Sequence, residues 1–375
     1  MKHSGKHIHI VSFDIPFPAN YGGVIDVYYK VKALAERGIK IHLHCFQYGR
    51  TKSDRLKELC HEVHYYNRDV SKSQLFKSIP YIITSRSDEQ LLKNLQKDKY
   101  PILFEGLHTT FFLNEGKLDG RKTIVRTHNI EHDYYNSLAR VETNIFKKYY
   151  FLNEASKLQQ YESVLTKATY IAAISPNDSS YLNSKYKKAK YIPAFHSNEK
   201  VNSTTGRGQF AFYHGNLAIG ENNEAAFFLV NEVFRQLPVT LIIAGSKPAV
   251  ELRNAVQRRS NITLLSDLTT KQIHQLIADA HINVLPTFQP TGIKLKLLSA
   301  LYNGKFCLVN TPMVANTGLE QLCVVKDTAS SLKEQCLHLM KNDFNEFDLA
   351  LRKDILEENF SNTRNVEKLI SLVFS

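Results

Sequence analysis

His7-Ile8-His9-Ile10-Val11-Ser12-Phe13 runs into Asp14-Ile15-Pro16-Phe17-Pro18-Ala19-Asn20-Tyr21-Gly22-Gly23, and then into the stretch from Val24 to Arg37. The first segment is short, apolar and β-branched, which suits a buried strand. The second carries proline, asparagine and a glycine pair, which suits a loop. The third repeats its apolar residues at helical spacing. A strand that feeds a loop and then a helix opens a βαβ unit, so a parallel sheet is expected.

The same alternation continues outward from this start. Strands are expected at Ile39 to Phe46, Ile102 to Glu105, Thr123 to Thr127 and Tyr170 to Ile174, with helices at Asp88 to Lys97 and within Glu131 to Lys167. The polar run from His196 to Gly208 lacks large apolar residues apart from Val201 and reads as a linker or surface loop. Alternation then restarts. Strands are expected at Phe210 to His214, Val239 to Ala244, Ile262 to Leu265, Ile282 to Pro286, Phe306 to Asn310 and Cys323 to Val325. Helices are expected at Asn223 to Gln236, Ala249 to Arg259, Lys271 to Ala280, Ile293 to Asn303 and Thr363 to Phe374. The fold class is therefore α/β, with two doubly wound Rossmann-like domains at residues 1–193 and 208–355, a linker at 194–207 and a C-terminal helical segment at 356–375 that could cross back to the first domain. Two such domains would face each other across a cleft, with ligands at the C-terminal ends of the strands.

The chain has 375 residues, 43% apolar and 22% charged, which is the mix of a globular protein and not of a disordered or fibrous one. Its five cysteines, Cys45, Cys60, Cys307, Cys323 and Cys336, form no C-x-x-C pair, so neither a disulfide framework nor a zinc site is indicated. The first residues lead straight into a strand, and no apolar run reaches membrane-spanning length. A reduced, cytoplasmic protein is expected.

Four strand-end segments carry candidate chemistry. Gly22 and Gly23 open the first helix and leave backbone N–H groups accessible to a phosphate or a sugar hydroxyl; a plain tight turn is the bland alternative. His128, in Arg126-Thr127-His128-Asn129-Ile130-Glu131-His132, follows a strand and could bind substrate or move a proton. Glu131 and His132 are weaker candidates, because either could lie on the helix surface. Tyr213-His214-Gly215-Asn216 leads through Asn222 into a helix, another anion-friendly loop. Finally, Thr291-Gly292-Ile293-Lys294-Leu295-Lys296 starts a helix with two lysines in its first turn. Cations there oppose the helix dipole unless an anion binds between them. Helical spacing puts Gly292, Lys296, Ser299 and Asn303 on one face, which favours Lys296 and Ser299 over Lys294. No D-x-D occurs, no cluster has metal-ligand spacing, and no metal or cofactor is expected.

With these motifs in this order, the chain resembles a GT-B glycosyltransferase, similar to the retaining enzymes of glycosyltransferase family 4. The resemblance rests on Tyr21-Gly22-Gly23, the stretch around His128, the Gly215-Asn216-Leu217 loop and the run from Gly292 to Gly304. It implies a nucleotide-sugar donor on the second domain and a glycan or lipid-linked acceptor on the first. His128 then corresponds to the family histidine beside the transferred sugar. Asn216 and Asn222 correspond to positions where the family carries an arginine and a lysine on the diphosphate, and Leu264-Leu265-Ser266 would meet the base. The family's paired glutamates correspond to Thr291 and Ser299, neither of which is acidic. Lys296 is then the residue that would supply positive charge to the Asn216 loop. The implied reaction is metal-independent transfer, catalysed by His128 and Lys296, with the anomeric configuration retained. A degenerate, non-catalytic GT-B protein is the alternative that the missing glutamates favour; a nucleotide-sugar epimerase is a weaker one.

The formal net charge is +12, and all but one unit of that surplus lies before residue 193. Nucleic-acid-binding signatures are absent, so no nucleic-acid partner is expected. The one-sided charge, together with the mixed basic and apolar run from Ser71 to Tyr81, points to an anionic membrane surface met by the acceptor-side domain. That would make the protein peripheral on the inner face of the membrane.

Overall fold

The computed structural model describes every residue except Met1, Lys2, Ser4, 290–294 and Asn316. In the first sheet, β1 (His7–Ser12), β2 (Lys40–Gln47), β3 (Glu62–Asn67), β4 (Ile102–Glu105), β5 (Thr123–Thr127), β6 (Tyr170–Ala173) and β7 (Ala189–Tyr191) run in the order β3-β2-β1-β4-β5-β6-β7. The second holds β8 (Ala211–His214), β9 (Leu241–Ala244), β10 (Ile262–Leu265), β11 (Ile282–Val284), β12 (Phe306–Val309) and β13 (Val324–Val325) in the order β10-β9-β8-β11-β12-β13. Among the described residues every strand pairing within both sheets is parallel, as in Ile10 opposite Leu43 and Leu264 opposite Ile243. In each sheet the strand order reverses once, beside β1 and β4 in the first and beside β8 and β11 in the second. These are the switch points where doubly wound sheets hold ligands.

The described residues form two units. One takes the chain up to Ser197 and again from Phe360 to Ser375, and the other takes the residues from Asn198 to Asn359. Within the first, the helix Asn362–Phe374 lies against the helix Gly22–Glu36 and joins the core cluster of β1 and β2 through Val366, Leu369, Ile370 and Val373, one stripe of an amphipathic helix. Ser361 caps it by accepting from the Arg364 N–H.

Alternation along β1 places Ile8 and Ile10 in the core under this helix. His7 and His9 face the other way, against His42 and His44 of β2. Their rings form hydrogen-bonded rows: His7 Nδ1 lies 2.8 Å from His42 Nε2, and His9 Nδ1 lies 2.8 Å from His44 Nε2. Asp98 accepts from His9 Nε2 at 3.0 Å, and the Tyr66 hydroxyl closes the second row at 2.7 Å from His44 Nδ1.

Two sequence expectations are made specific here. The polar segment after Pro193 is a loop with exposed Glu199, Lys200, Asn202, Thr204 and Arg207, and the division between the two units falls inside it, but it is tied down by buried polar residues. His196, Asn198 and Ser203 are buried, and their polar atoms are spent on backbone groups or partners: His196 Nε2 on the Phe360 carbonyl at 3.0 Å, Ser203 Oγ on the Leu301 carbonyl at 3.2 Å. The polarity of the run reflects internal hydrogen bonding. The long region from Glu131 to Lys167 is two helices, Glu131–Val141 and Ile145–Tyr161, followed by a 3₁₀ turn. Asn144 breaks it, accepting from the N–H groups of Phe146 and Lys147 as a helix cap.

Candidate functional site

In the first unit the strand ends converge on a buried charge network. The helix Gly22–Glu36 supplies Asp26 and Lys30, β4 supplies Glu105, and β5 supplies Arg126 and leads into His128. Lys30 Nζ lies 2.8 Å from Asp26 Oδ2 and 2.6 Å from Glu105 Oε1. Arg126 donates to both Asp26 oxygens at 2.9 and 3.2 Å, and the Phe195 N–H adds a bond at 2.8 Å. Burial alone would push both carboxyls up; the surrounding cations outweigh it and hold Asp26 and Glu105 below their ordinary values. Both carboxylates are therefore ionised, and each is balanced by a cation.

His128 Nε2 lies 3.0 Å from Glu105 Oε2, so Nε2 carries the proton and Nδ1 is left for another partner. The ring meets the edge of Phe13 at 5.6 Å. A Cβ on Gly23 would come within 2.6 Å of the Phe13 ring tip, so glycine there lets the ring lie across the helix start. Gly22 faces open space, and no side chain caps this helix. The loop before it is pinned by Asp14, which accepts from Tyr21 Oη and the Ile15 N–H, each at 2.8 Å. Contrary to the spacing argument from sequence, Asp26, Glu105 and His128 do present ligand atoms within 4.8 Å of one another. The cation among them is the Lys30 ammonium, and it occupies the carboxylate oxygens a metal would need.

Beside this network lies a set of groups in which the weaker candidates Glu131 and His132 join His108 and Arg86, which the sequence reading missed. Glu131 and His132 are buried, not surface residues. Burial, with Asp178 adding to it against Arg86, pushes the Glu131 carboxyl up to about 8, so it is protonated at neutral pH. Asp178 is itself pushed up to about 6 by burial. His108 Nδ1 is 3.9 Å from Glu131 Oε1, too long for a hydrogen bond. That nitrogen is buried with no partner among the described residues, and burial holds the imidazole neutral. Arg86 Nε donates to the Phe13 carbonyl at 3.0 Å, which ties this group to the β1 loop. A neutral acid, a neutral imidazole and a buried guanidinium together suit recognition of hydroxyl-rich, uncharged groups. The signal for His108 was its place directly after β4, at the switch point.

In the second unit the loop after β8 closes on itself. Asn216 Oδ1 accepts from the Ala218 N–H at 3.1 Å and from Ser246 Oγ at 3.0 Å, while the Asn216 carbonyl accepts from Asn222 Nδ2 at 3.1 Å. Lys296, in the first turn of the helix Leu295–Asn303, donates to Asn222 Oδ1 at 2.9 Å and lies 5.2 Å from the centre of the Tyr213 ring. Gly215 and Gly245 allow the loops after β8 and β9 to touch, since a Cβ on Gly245 would come within 2.1 Å of the Gly215 carbonyl. His214 is held down at about 3 by burial and by Lys296, so the positive charge here is the lysine's. Thr287, after β11, donates to Glu221 in the first turn of the helix Gly220–Phe228.

The structure thus gathers Gly215, Asn216, Asn222 and Lys296 at one switch point. Ser299 is half-buried one turn beyond Lys296, and Leu265 is half-buried at the end of β10, two strands from β8. Gly22, Gly23 and His128 lie in the first unit. Thr291, Gly292 and Lys294 lie outside the described residues.

No family model matches the chain. It is 24% identical to an uncharacterised 44.6 kDa protein in the cps region of Klebsiella pneumoniae, over 97% of this chain and 98% of that one. A glycosyltransferase from Rickettsia africae superposes with a TM-score of 0.67 at 13% identity, covering 98% of each chain. The catalytic domain of starch synthase IV from Arabidopsis thaliana, solved with ADP and acarbose, gives 0.65 at 13% identity over 99% of each. An E. coli structure titled as trehalose-6-phosphate bound with UDP-2-fluoro glucose gives 0.67 at 11% identity, again over 99% of each. The fold is that of the GT-B glycosyltransferases.

Proposed function

We propose that this protein transfers a sugar from a nucleotide-sugar donor, bound by the second unit, to a glycan or lipid-linked acceptor, bound by the first. The observation that carries the reading is Lys296 seated on Asn222, in the first turn of the helix that follows the β8 loop, where a GT-B chain needs positive charge for a departing diphosphate. In this reading Lys296 and the N–H groups at the start of the helix Gly220–Phe228 stabilise that charge as the phosphate–sugar bond breaks. Lys296 thereby takes the place a divalent metal would fill. His128, held by Glu105, orients the sugar or the acceptor hydroxyl through Nδ1. The resemblance to family 4 supports retention of the anomeric configuration. Neighbours solved with ADP or with UDP-2-fluoro glucose support a nucleotide-sugar donor, and the relative in the cps region supports a place in polysaccharide biosynthesis.

Removing one group that stabilises a developing negative charge typically costs a factor of about 10² to 10³ in turnover. Lys296→Ala should therefore fall by that much with a donor first found by thermal shift, and Lys296→Arg should recover part of the loss. Unchanged turnover in Lys296→Ala would refute the assignment. The second reading, a GT-B protein that binds without catalysing, is favoured by Ser299, which stands where the family carries a glutamate. Saturable donor binding with neither transfer nor hydrolysis across an acceptor panel would decide for it.

A further inference from the structure

The helix Ile145–Tyr161 is buried only along its far half, through Ala155, Leu158 and Tyr161. Its first two turns pack inward through Tyr150 and Phe151, and their other side faces solvent. Phe146 is 84% exposed, Tyr149 73% and Ile145 64%, with Leu152 exposed beyond them and Val141 exposed at the end of the preceding helix. Isolated exposed apolar residues are ordinary; a contiguous set of this size is not. Ile145, Tyr149 and Leu152 recur at i, i+4 and i+7 and so form one stripe, with Phe146 at its side.

A second exposed aromatic is carried by a segment fastened to the far half of the same helix. Phe76, 90% exposed, ends the 3₁₀ turn Lys72–Phe76. Lys157 Nζ donates to the Leu75 carbonyl at 2.9 Å, and Glu154 accepts from the Tyr81 N–H at 2.6 Å, so the segment carrying Phe76 is fastened to the same helix. The segment that the sequence singled out, Ser71 to Tyr81, is thus held by the helix whose first turns carry the stripe.

The charges around the stripe and around Phe76 are mostly positive. Lys147 and Lys148 flank the stripe, Lys72 and Lys77 flank Phe76, and all four are exposed; Arg140 adds a fifth cation. The nearby carboxylates are Asp69, which accepts from the Ser71 N–H, and Glu142, which accepts from the Asn144 N–H. Aromatic side chains between lysines suit the interface of a bilayer, where rings enter the headgroup layer and ammonium groups stay with lipid phosphates. A protein partner with an acidic rim lacks such independent support here, whereas the whole first unit carries the chain's surplus charge. Among the described residues no helix is long and apolar enough to cross a membrane.

We infer that the helix tip formed by Val141, Ile145, Phe146 and Tyr149, aided by Phe76 on the segment fastened to the same helix, is a docking surface for an anionic membrane, entered by the apolar residues and held by Lys147, Lys148, Lys72 and Lys77. It deepens the proposed function, on which it rests for one point: an acceptor anchored in lipid would then reach the first unit in the plane of the membrane.

Cosedimentation of the full chain with vesicles tests this directly. Vesicles of phosphatidylcholine with roughly 30% phosphatidylglycerol should bind the protein at least about tenfold more tightly than phosphatidylcholine alone, and added salt should weaken that binding about tenfold. Phe146→Glu with Tyr149→Glu changes only exposed side chains and should abolish binding to both. Wild-type protein that ignores anionic vesicles would overturn the inference, as would a double variant that binds like wild type. Sedimentation velocity showing a wild-type dimer that the double variant dissolves would also overturn it, because the stripe would then serve self-association. Thermal shifts with nucleotide sugars, run on the same preparations, report the donor reading separately, so the two can fail independently.

Discussion

The Lys30 ammonium lies 2.6 Å from Glu105 Oε1, and neither side chain reaches solvent. Through Glu105 the same pair holds His128. Breaking a buried ion pair from one side leaves an uncompensated charge and typically costs about 3–5 kcal/mol. Lys30→Met should therefore destabilise the protein by about that amount in urea unfolding. Lys30→Met with Glu105→Gln, which removes both charges, should recover a substantial part. A single variant with wild-type stability would show that Lys30 is not the cation of this site.

Glycines at the two switch points separate packing from permissiveness. Gly245 has no room for a Cβ, which would meet the Gly215 carbonyl at 2.1 Å, whereas Gly22 faces open space. Gly245→Ala has to push the loop after β9 away from the Asn216 loop, so it should cost about 1–3 kcal/mol, as overpacking does, and weaken donor binding with it. Gly22→Ala should leave stability within about 0.5 kcal/mol of wild type, like a surface change. Calorimetric unfolding with and without donor distinguishes the two, and equal behaviour would contradict the geometry.

The parts of this molecule that were legible in sequence are the parts where local pattern and tertiary role agree. β1 reads as a strand because Ile8, Ile10 and Val11 are core residues, and the helix Asn362–Phe374 reads as a helix because its apolar residues keep helical spacing. β3 escaped because Glu62, His64 and Asn67 carry the polarity of an edge strand, and β7 because three residues hold no period. Lys296 was legible from its awkward place at a helix start. His108 and Arg86 were not, and Glu131 was only a weaker candidate, because their significance is burial of their polar atoms, which arises only when β4, β5 and the segments beside them close around them. The link between Asp26, Glu105 and His128 likewise crosses three separate elements and leaves no spacing to read.

Stability should fall on both sides of neutral pH. Burial, chiefly, lowers the His9 and His44 imidazoles below 6.5 in the folded protein. The folded state then binds fewer protons than the unfolded one, so their contribution is whole above about 6.5 and is lost as pH falls below it. Glu131 acts in the opposite sense. Its folded value of about 8 exceeds the unfolded 4.5, so its contribution is whole below 4.5 and is lost as pH rises toward 8. His44→Gln should flatten the acid limb and Glu131→Gln the alkaline limb of a plot of urea midpoint against pH. An alkaline limb that Glu131→Gln leaves unchanged would show that the carboxyl is already ionised at neutral pH.

Two of the attachments that hold the helix Asn362–Phe374 to the rest of the first unit differ in weight. Arg37 Nε lies 2.7 Å from Glu367 Oε1, but Glu367 is half-exposed, and pairs of that kind contribute about 0–1 kcal/mol. Leu369 is 1% exposed within the cluster that includes Ile8, Ile10 and Leu43. Truncating such a residue removes its burial and leaves a cavity, at a cost of about 2–5 kcal/mol. Leu369→Ala should therefore lower the unfolding midpoint clearly, while Arg37→Ala should shift it little and lose even that small effect in high salt. The reverse order would mean that the helix is held by charge at its rim and not by its apolar stripe.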